Sequence, residues 1–214
     1  MMDKKPFTVN TRERILEASL TLFAKKGYRA TTVRDIAREI GITQGALYNH
    51  FKNKDAILQT LLETLTDSVI VQIFENRDPA EIYKKGKALL MSISSTFKLA
   101  GFDRRNEMLF KLLMQELFRN ELVRELYYEH FYQKNVKKLS TIFFYMMQDE
   151  MIKSMDPLML ANEFFSSLFF YQTQILLLKI DGKSTSAASI LFEKHTDMFW
   201  ENIRLEKDTY ERFG

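Results

Sequence analysis

The chain has no cysteine, only 3 Pro and 7 Gly, and a single Trp in 214 residues. Without cysteine there can be no disulfide, no thiolate zinc site and no cysteine nucleophile. With so few helix breakers and no alternating β-branched runs, an all-α chain is expected. Internal repeats and low-complexity segments are also missing. No apolar core follows Lys4, Lys5 and Pro6, so no signal peptide is expected and the cytoplasm is the expected location. The sequence holds no HExxH, no glycine-rich phosphate loop and no GxSxG. Glu125, Glu129 and His130 fall on one helical turn but lack a second Glu-x-x-His, and read as a polar face. No enzyme activity, metal or cofactor is expected.

What is present begins with an uneven distribution of charge. The net charge is +3, yet residues 1–60 carry 11 Lys and Arg against 6 Asp and Glu, whereas the remainder carries 20 against 22. The basic part contains TTVRDIAREIGITQGALYNHFKNKDAIL, residues 31–58. Thr32 and Asp35 have capping-box spacing, and Val33, Ile36, Ala37 and Ile40 follow at helical period. Gly41 then supplies the freedom needed for a sharp turn. Thr43 can cap a second helix whose Ala46, Leu47 and Phe51 point inward, leaving Gln44, Gly45, Tyr48 and Asn49 outward. A glycine there costs about 1 kcal/mol against alanine, which close approach to another surface would justify. Gln44 offers the donor and acceptor that match adenine in the major groove, and Lys52 and Lys54 stand where phosphates would pass. Asn53 can cap a third helix.

The segment TRERILEASLTLFAKKGYRATTVRDIAREIGITQGALYNHFKNKDAIL, residues 11–58, resembles the TetR family of bacterial transcriptional regulators. The likeness lies in an amphipathic first helix ending in Phe23 and Gly27, in Ile36, Ala37 and Gly41, and in the order Leu47, Tyr48, His50, Phe51, Lys54. It implies a helical homodimer that reads a palindromic operator on double-stranded DNA and is weakened on it by a small molecule. It also implies base contact at Gln44 and Gly45 and backbone contact at Arg34, Thr43, Tyr48, His50, Lys52 and Lys54. Asn49 departs from the bulkier residue sometimes found there, so its role stays open. The expected division is a helix-turn-helix domain at 1–58 and a helical effector-binding and dimerisation domain at 59–214.

About nine helices are expected. The first runs from near Thr11 to Lys26, with Asn10 and Glu13 at capping-box spacing. The fourth begins at Asn53 and continues to about Glu75. Others span Asp78 to Ala100, Asp103 to Phe118, Glu121 to about Met151, Asp156 to Ile180 and roughly Thr185 to Asp208. The apolar run FFSSLFFYQTQILLLKI, residues 164–180, is short for a membrane span and is interrupted by Ser166, Ser167, Gln172, Gln174 and Lys179, so no membrane partner is expected. With the last helix it reads as half of a four-helix dimer interface, the candidate residues being Tyr171, Ile175, Leu178, Leu191 and Met198.

The same region is rich in aromatic and methionine side chains. Most are core, but together they suit a cavity for an apolar or aromatic effector. Candidate lining residues are Phe110, Met114, Phe143, Met147, Phe165, Phe169 and Gln172, with Glu107, Gln115, Glu116 and Asn162 as further polar groups. The reading that joins these features is a ligand-responsive DNA-binding repressor. The alternatives are a regulator of the same shape without a small-molecule effector, and a helical ligand carrier that does not bind DNA.

Overall fold

The first amides of a helix have no acceptor within it, and the sequence supplies acceptors where helices begin. In the computed structural model of the chain, which describes residues 10–68 and 78–206, Asn10 caps α1 (Thr11–Lys26) by accepting from Arg12 N at 3.1 Å. That bond falls one residue short of the box expected with Glu13. Thr32 caps α2 (Val33–Glu39), Thr43 caps α3 (Gln44–Tyr48), and Asn53 accepts from Ala56 N at 2.8 Å to begin α4 (Lys54–Ser68). The expected continuation of α4 to Glu75 lies outside the described residues.

Asp78 accepts from Ala80 N to open α5 (Pro79–Ile82), with Pro79 in the first turn. A 3-10 turn at Tyr83–Lys85 leads to Gly86, after which α6 (Lys87–Ala100) begins. The sequence predicts one helix over this stretch, and Gly86 divides it. Its φ of 51° and ψ of −126° are not helical, and a β-carbon there would lie 3.0 Å from Trp200 and 3.2 Å from Met151. Then come α7 (Arg104–Glu116) and α8 (Glu121–Glu125), followed by a π-helical stretch at Leu126–Gln133 and α9 (Lys134–Gln148). The sequence reads 121–151 as one regular helix. The wider turns sit where Asn135 Nδ2 donates to Phe131 O at 2.5 Å, a side chain competing for a helix carbonyl.

Asp156 accepts from Leu158 N and Met159 N to start α10 (Pro157–Ile180), and α11 spans Ser186–Ile203. The last helix stops short of Asp208 because Lys153 N donates to Ile203 O at 2.7 Å and Leu205 N to Met151 O at 3.2 Å. Those bonds draw the chain into a single bridge between Ile152 and Arg204. The fold is all-α. Counting the stretches at 79–85 and 121–148 each as one rod, the described residues hold ten helices, the additional one arising at Gly86. No described helix is long and apolar enough to cross a membrane.

The helices form two compact units. One comprises the chain to Leu65 together with Met108–Tyr127, and the other comprises the remainder. In the first, Ile15, Leu20, Phe23, Ile36, Leu47, Ile57, Leu58 and Leu61 have no exposed surface. In the second, α9 packs along α10, α10 on α11, and α11 on α6. Replacing Gly86 by alanine should cost about 1–3 kcal/mol, because the backbone there suits glycine and the added carbon meets Trp200. Urea unfolding of Gly86→Ala would show this as a lower midpoint with unchanged slope.

Candidate functional site

A five-residue helix cannot hold its shape alone, so α3 depends on caps and on what it buries. On its inner side Leu47 has no exposed surface and Phe51 only 4%. Before it, Thr32 Oγ1 accepts from Asp35 N at 3.1 Å while Thr32 N donates to Asp35 Oδ2 at 3.0 Å. The Thr32 hydroxyl, donating to Asp35 Oδ2 at 2.7 Å, and then the Thr32 N–H bond hold the Asp35 carboxyl below its usual range, and Arg38 lies 2.8 Å away. Gly41, with φ 71°, turns the chain, and Thr43 Oγ1 accepts from Ala46 N at 3.1 Å.

The outer side of α3 is exposed at Gln44, Gly45, Tyr48, Asn49 and His50. A β-carbon on Gly45 would meet only Thr43 Oγ1, at 3.9 Å. Nothing within the described chain therefore requires glycine at this position. Arg34 and Lys52 are exposed and make no ion pair among the described residues. The outward residues of α3 are thus open to solvent, as are these two cations before and after it in the chain.

Lys54 is placed differently from the expectation of a phosphate contact. Its Nζ donates to Tyr28 O at 2.7 Å and Thr31 O at 2.9 Å, and stands 4.1 Å above the Tyr28 ring. Two of its three N–H donors are thus committed to the loop between α1 and α2. Burial lowers its pKa, opposed by the charges of Asp55 and Glu116. The Tyr28 hydroxyl donates to Asp55 in a short hydrogen bond, and burial first, then that bond and the two carboxylates, raise its pKa well above the ordinary range. Glu116 is itself only 6% exposed. Arg12 stacks over Phe51 at 4.9 Å, and Arg14 donates to Ile40 O at 2.7 Å, so these two basic residues also serve the fold.

Of the residues expected to line an effector cavity, Met114, Gln115 and Glu116 line a groove of about 640 Å³ in the first unit together with Lys25, Lys26 and Phe118, and the others do not join them there. Phe143, Phe165 and Gln172 are buried in the second unit's own core, while Phe110 and Met114 belong to the first unit. Phe143 packs on Phe199 at 5.7 Å, and Phe165 on Phe97 and Phe131 at 5.6 and 5.7 Å. Gln172, with its amide oriented to satisfy both partners, donates to Phe97 O at 3.0 Å and accepts from Gly101 N at 3.1 Å. It is a clamp on the end of α6 rather than an open polar group, and a β-carbon at Gly101 would lie 2.5 Å from it. Phe169 and Met147 are half-buried, and Glu107 pairs with Lys179 at 2.7 Å.

The second unit does contain a groove of about 630 Å³, lined by Tyr128, Glu129, Tyr132, Gln133, Lys134, Val136, Lys137, Ser140, Leu158 and Asn162. Of these, the sequence points only to Asn162 as a pocket residue. The usable signal in the sequence is Tyr128 and Tyr132 followed by an asparagine in a helix interior. The grouping of Glu125, Glu129 and His130 turns on the His130 side chain, which lies outside the described ones.

The dimer candidates also divide. Ile175 is 1% exposed within the single chain and belongs to its core, and Tyr171 packs on Phe192 and His195 at 5.5 and 5.8 Å. Leu178 and Leu191 are half-buried and Met198 is 60% exposed. Phe170, Leu177, Ile180 and Ile190 are among the further exposed apolar side chains of these two helices, a neighbouring stripe that helical period in the sequence does not separate from the core, and Leu158 and Met159 are exposed at the start of α10.

Residues 15–61 match the family described as bacterial regulatory proteins, tetR family. The N-terminal region is a TetR-family domain. Among curated proteins, YerO of Bacillus subtilis, an uncharacterized HTH-type transcriptional regulator, is 54% identical over 52 residues, 24% of this chain and 18% of that protein. The HTH-type transcriptional regulator TtgR of Pseudomonas putida is 36% identical over 102 residues, 46% of this chain and 49% of its own length. The chain thus spans half or less of these curated relatives. A TetR-family regulator from Mesorhizobium loti shares the fold at TM-score 0.69 and 16% identity, covering 91% of this chain and 96% of that one. The SmeT–triclosan complex does so at 0.71 and 18%, covering 93% of each. These solved structures show that the TetR fold extends over nearly the whole chain.

Two stability measurements test the Lys54 cluster. Lys54→Ala should cost about 1–3 kcal/mol in urea unfolding, since it strands two carbonyls that now receive charged hydrogen bonds. For Tyr28 the folded pKa is raised, so its contribution is complete below the unfolded value of about 10 and is lost as pH rises beyond it. Tyr28→Phe should therefore flatten the alkaline decline in stability from about pH 10 upward.

Proposed function

We propose that this protein is a ligand-responsive transcriptional repressor that binds a palindromic operator as a homodimer and is released by a small, largely apolar or aromatic effector. The observation that carries the DNA-binding part is the outer side of α3, where Gly45 leaves open space beside exposed Gln44 with no internal reason for a glycine. Gln44 reads a base edge, most simply adenine, and Gly45 lets the backbone approach. Arg34, Thr43, Tyr48, His50 and Lys52 hold phosphate or sugar, and Asn49 lies within reach of either. Lys54 contributes by fixing the loop before α2.

A second copy would place another α3 about 34–36 Å away along the duplex, one helical turn on. The exposed Phe170, Leu177, Ile180, Ile190 and Met198 support self-association through α10 and α11. For an effector to release DNA it must bind the released state better, and a coupling of about 1–3 kcal/mol is the usual scale. The packing of Phe143, Phe165 and Gln172 in the core favours a second reading, a regulator of the same fold with no small-molecule effector. Mass spectrometry of the purified protein separates the two by whether a ligand travels with it.

Selection from a random DNA pool at near-physiological salt, with competitor, should recover a palindrome. Gln44→Ala should relax preference at one base pair per half-site by about 1–3 kcal/mol. Lys52→Ala should weaken all sequences alike and reduce the logarithmic salt slope by about 1 for each phosphate no longer neutralised. Sequence-blind binding by the unmodified protein would sink the base-reading assignment.

A further inference from the structure

We propose that the groove beside the π-helical stretch is a binding site for a planar aromatic molecule carrying one negative charge. The proposal goes beyond the operator reading and holds whether or not binding alters DNA affinity. Its first support is a pair of rings set in place before any ligand arrives. Tyr128 and Tyr132 stack at 5.9 Å with 20° between their planes, and both line the groove. The hydroxyl of Tyr132 donates to Asn162 Oδ1 in a short bond, and Asn162 Nδ2 donates to Leu158 O at 2.8 Å. Tyr132 is thereby tied to the first turns of α10, while Tyr128, 52% exposed, keeps surface for a further ring. Aromatic pairs favour such offset geometry at centroid separations of about 4.5–7 Å.

The second support is the charge around the groove. Val136 and Leu158 supply apolar lining, and Lys134 and Lys137 stand against the single carboxylate of Glu129. Lys137 makes no ion pair among the described residues. The Lys137 ammonium favours a monoanion and disfavours a cation of the same shape. The third support is the local backbone. A π-helical stretch is rare and recurs at functional sites, and here it carries both tyrosines and Glu129 into one lining. The volume of about 630 Å³ falls within the range that holds small organic ligands.

Isothermal titration of the whole chain, without DNA, tests the site with 2-naphthoate and, as the cationic counterpart, protonated 2-naphthylmethylamine. The expected result is saturable binding of the naphthoate at one per chain with Kd below about 1 mM. Lys137→Glu and Tyr128→Ala should each weaken it about tenfold or more, and the amine should not bind measurably. Both positions are exposed, so their urea midpoints should stay close to that of the unmodified protein. Ser140→Trp, which fills the groove, should abolish binding. The proposal is overturned if naphthoate gives no binding up to several times that concentration, if these variants leave its affinity unchanged, or if the amine binds equally well. Failure of operator selection would leave these outcomes untouched, and their failure would leave operator selection intact.

Discussion

The ammonium of Lys54 is the constraint on which the exposed face of α3 depends. An isolated helix as short as α3 has no stability in water, so its orientation is inherited from neighbours. Leu47 and Phe51 anchor it to the core, but apolar burial is non-directional and fixes position better than rotation. Direction comes from hydrogen bonds, and Lys54 joins the start of α4 to the carbonyls of Tyr28 and Thr31, 26 and 23 residues away. The short bond between Tyr28 and Asp55 closes the same connection from the other side. The loop before α2 and the beginning of α4 are thus one assembly, with α3 held between them.

That arrangement explains which parts of the site are legible in the sequence. Thr32 with Asp35, Thr43, Asn53, Asp78 and Asp156 all make their bonds within three residues, so each helix start is written where it occurs. Leu47 inward and Gln44, Gly45 and Tyr48 outward follow from helical period alone. The bonds of Lys54 to Tyr28 and Thr31 are not legible in the sequence because its acceptors are distant carbonyls, and a carbonyl carries no residue-specific signature. Gly86 resembles a tolerable glycine within a helix until Trp200 and Met151 are brought against it. For α10, apolar residues lie on nearly every side, so period cannot separate Ile175 in the core from Leu177 and Phe170 at the surface.

Buried polar groups in the second unit show a related pattern. His195 sits among Phe164, Tyr171 and Phe199, and burial lowers its pKa while Glu163 works in the opposite direction. A neutral imidazole stacked on Phe164 at 5.7 Å serves there as one more flat ring. Gln172 likewise has the chemistry of a ligand contact, yet both ends of its amide are engaged by the end of α6. A polar residue in an apolar run is therefore as readily a solution to an unpaired backbone group as a recognition element, since leaving that group unpaired costs about 1–3 kcal/mol.

The same physics accounts for where open volume remains. Aromatic side chains fill the space between α6, the π-helical stretch and α10 because rings such as Phe97, Phe165, Phe131 and Phe169 meet edge to face. A regular helix through 126–133 would carry its side chains on in the ordinary period and present no interruption. The π-helical turns change that period, and Asn135 takes up the carbonyl of Phe131. Tyr128 and Tyr132, four residues apart, stack nearly parallel beside Val136 and Leu158, with lysines in the same lining. The irregular turn thus lies along the groove, at the margin of an interior whose central aromatic positions are already filled.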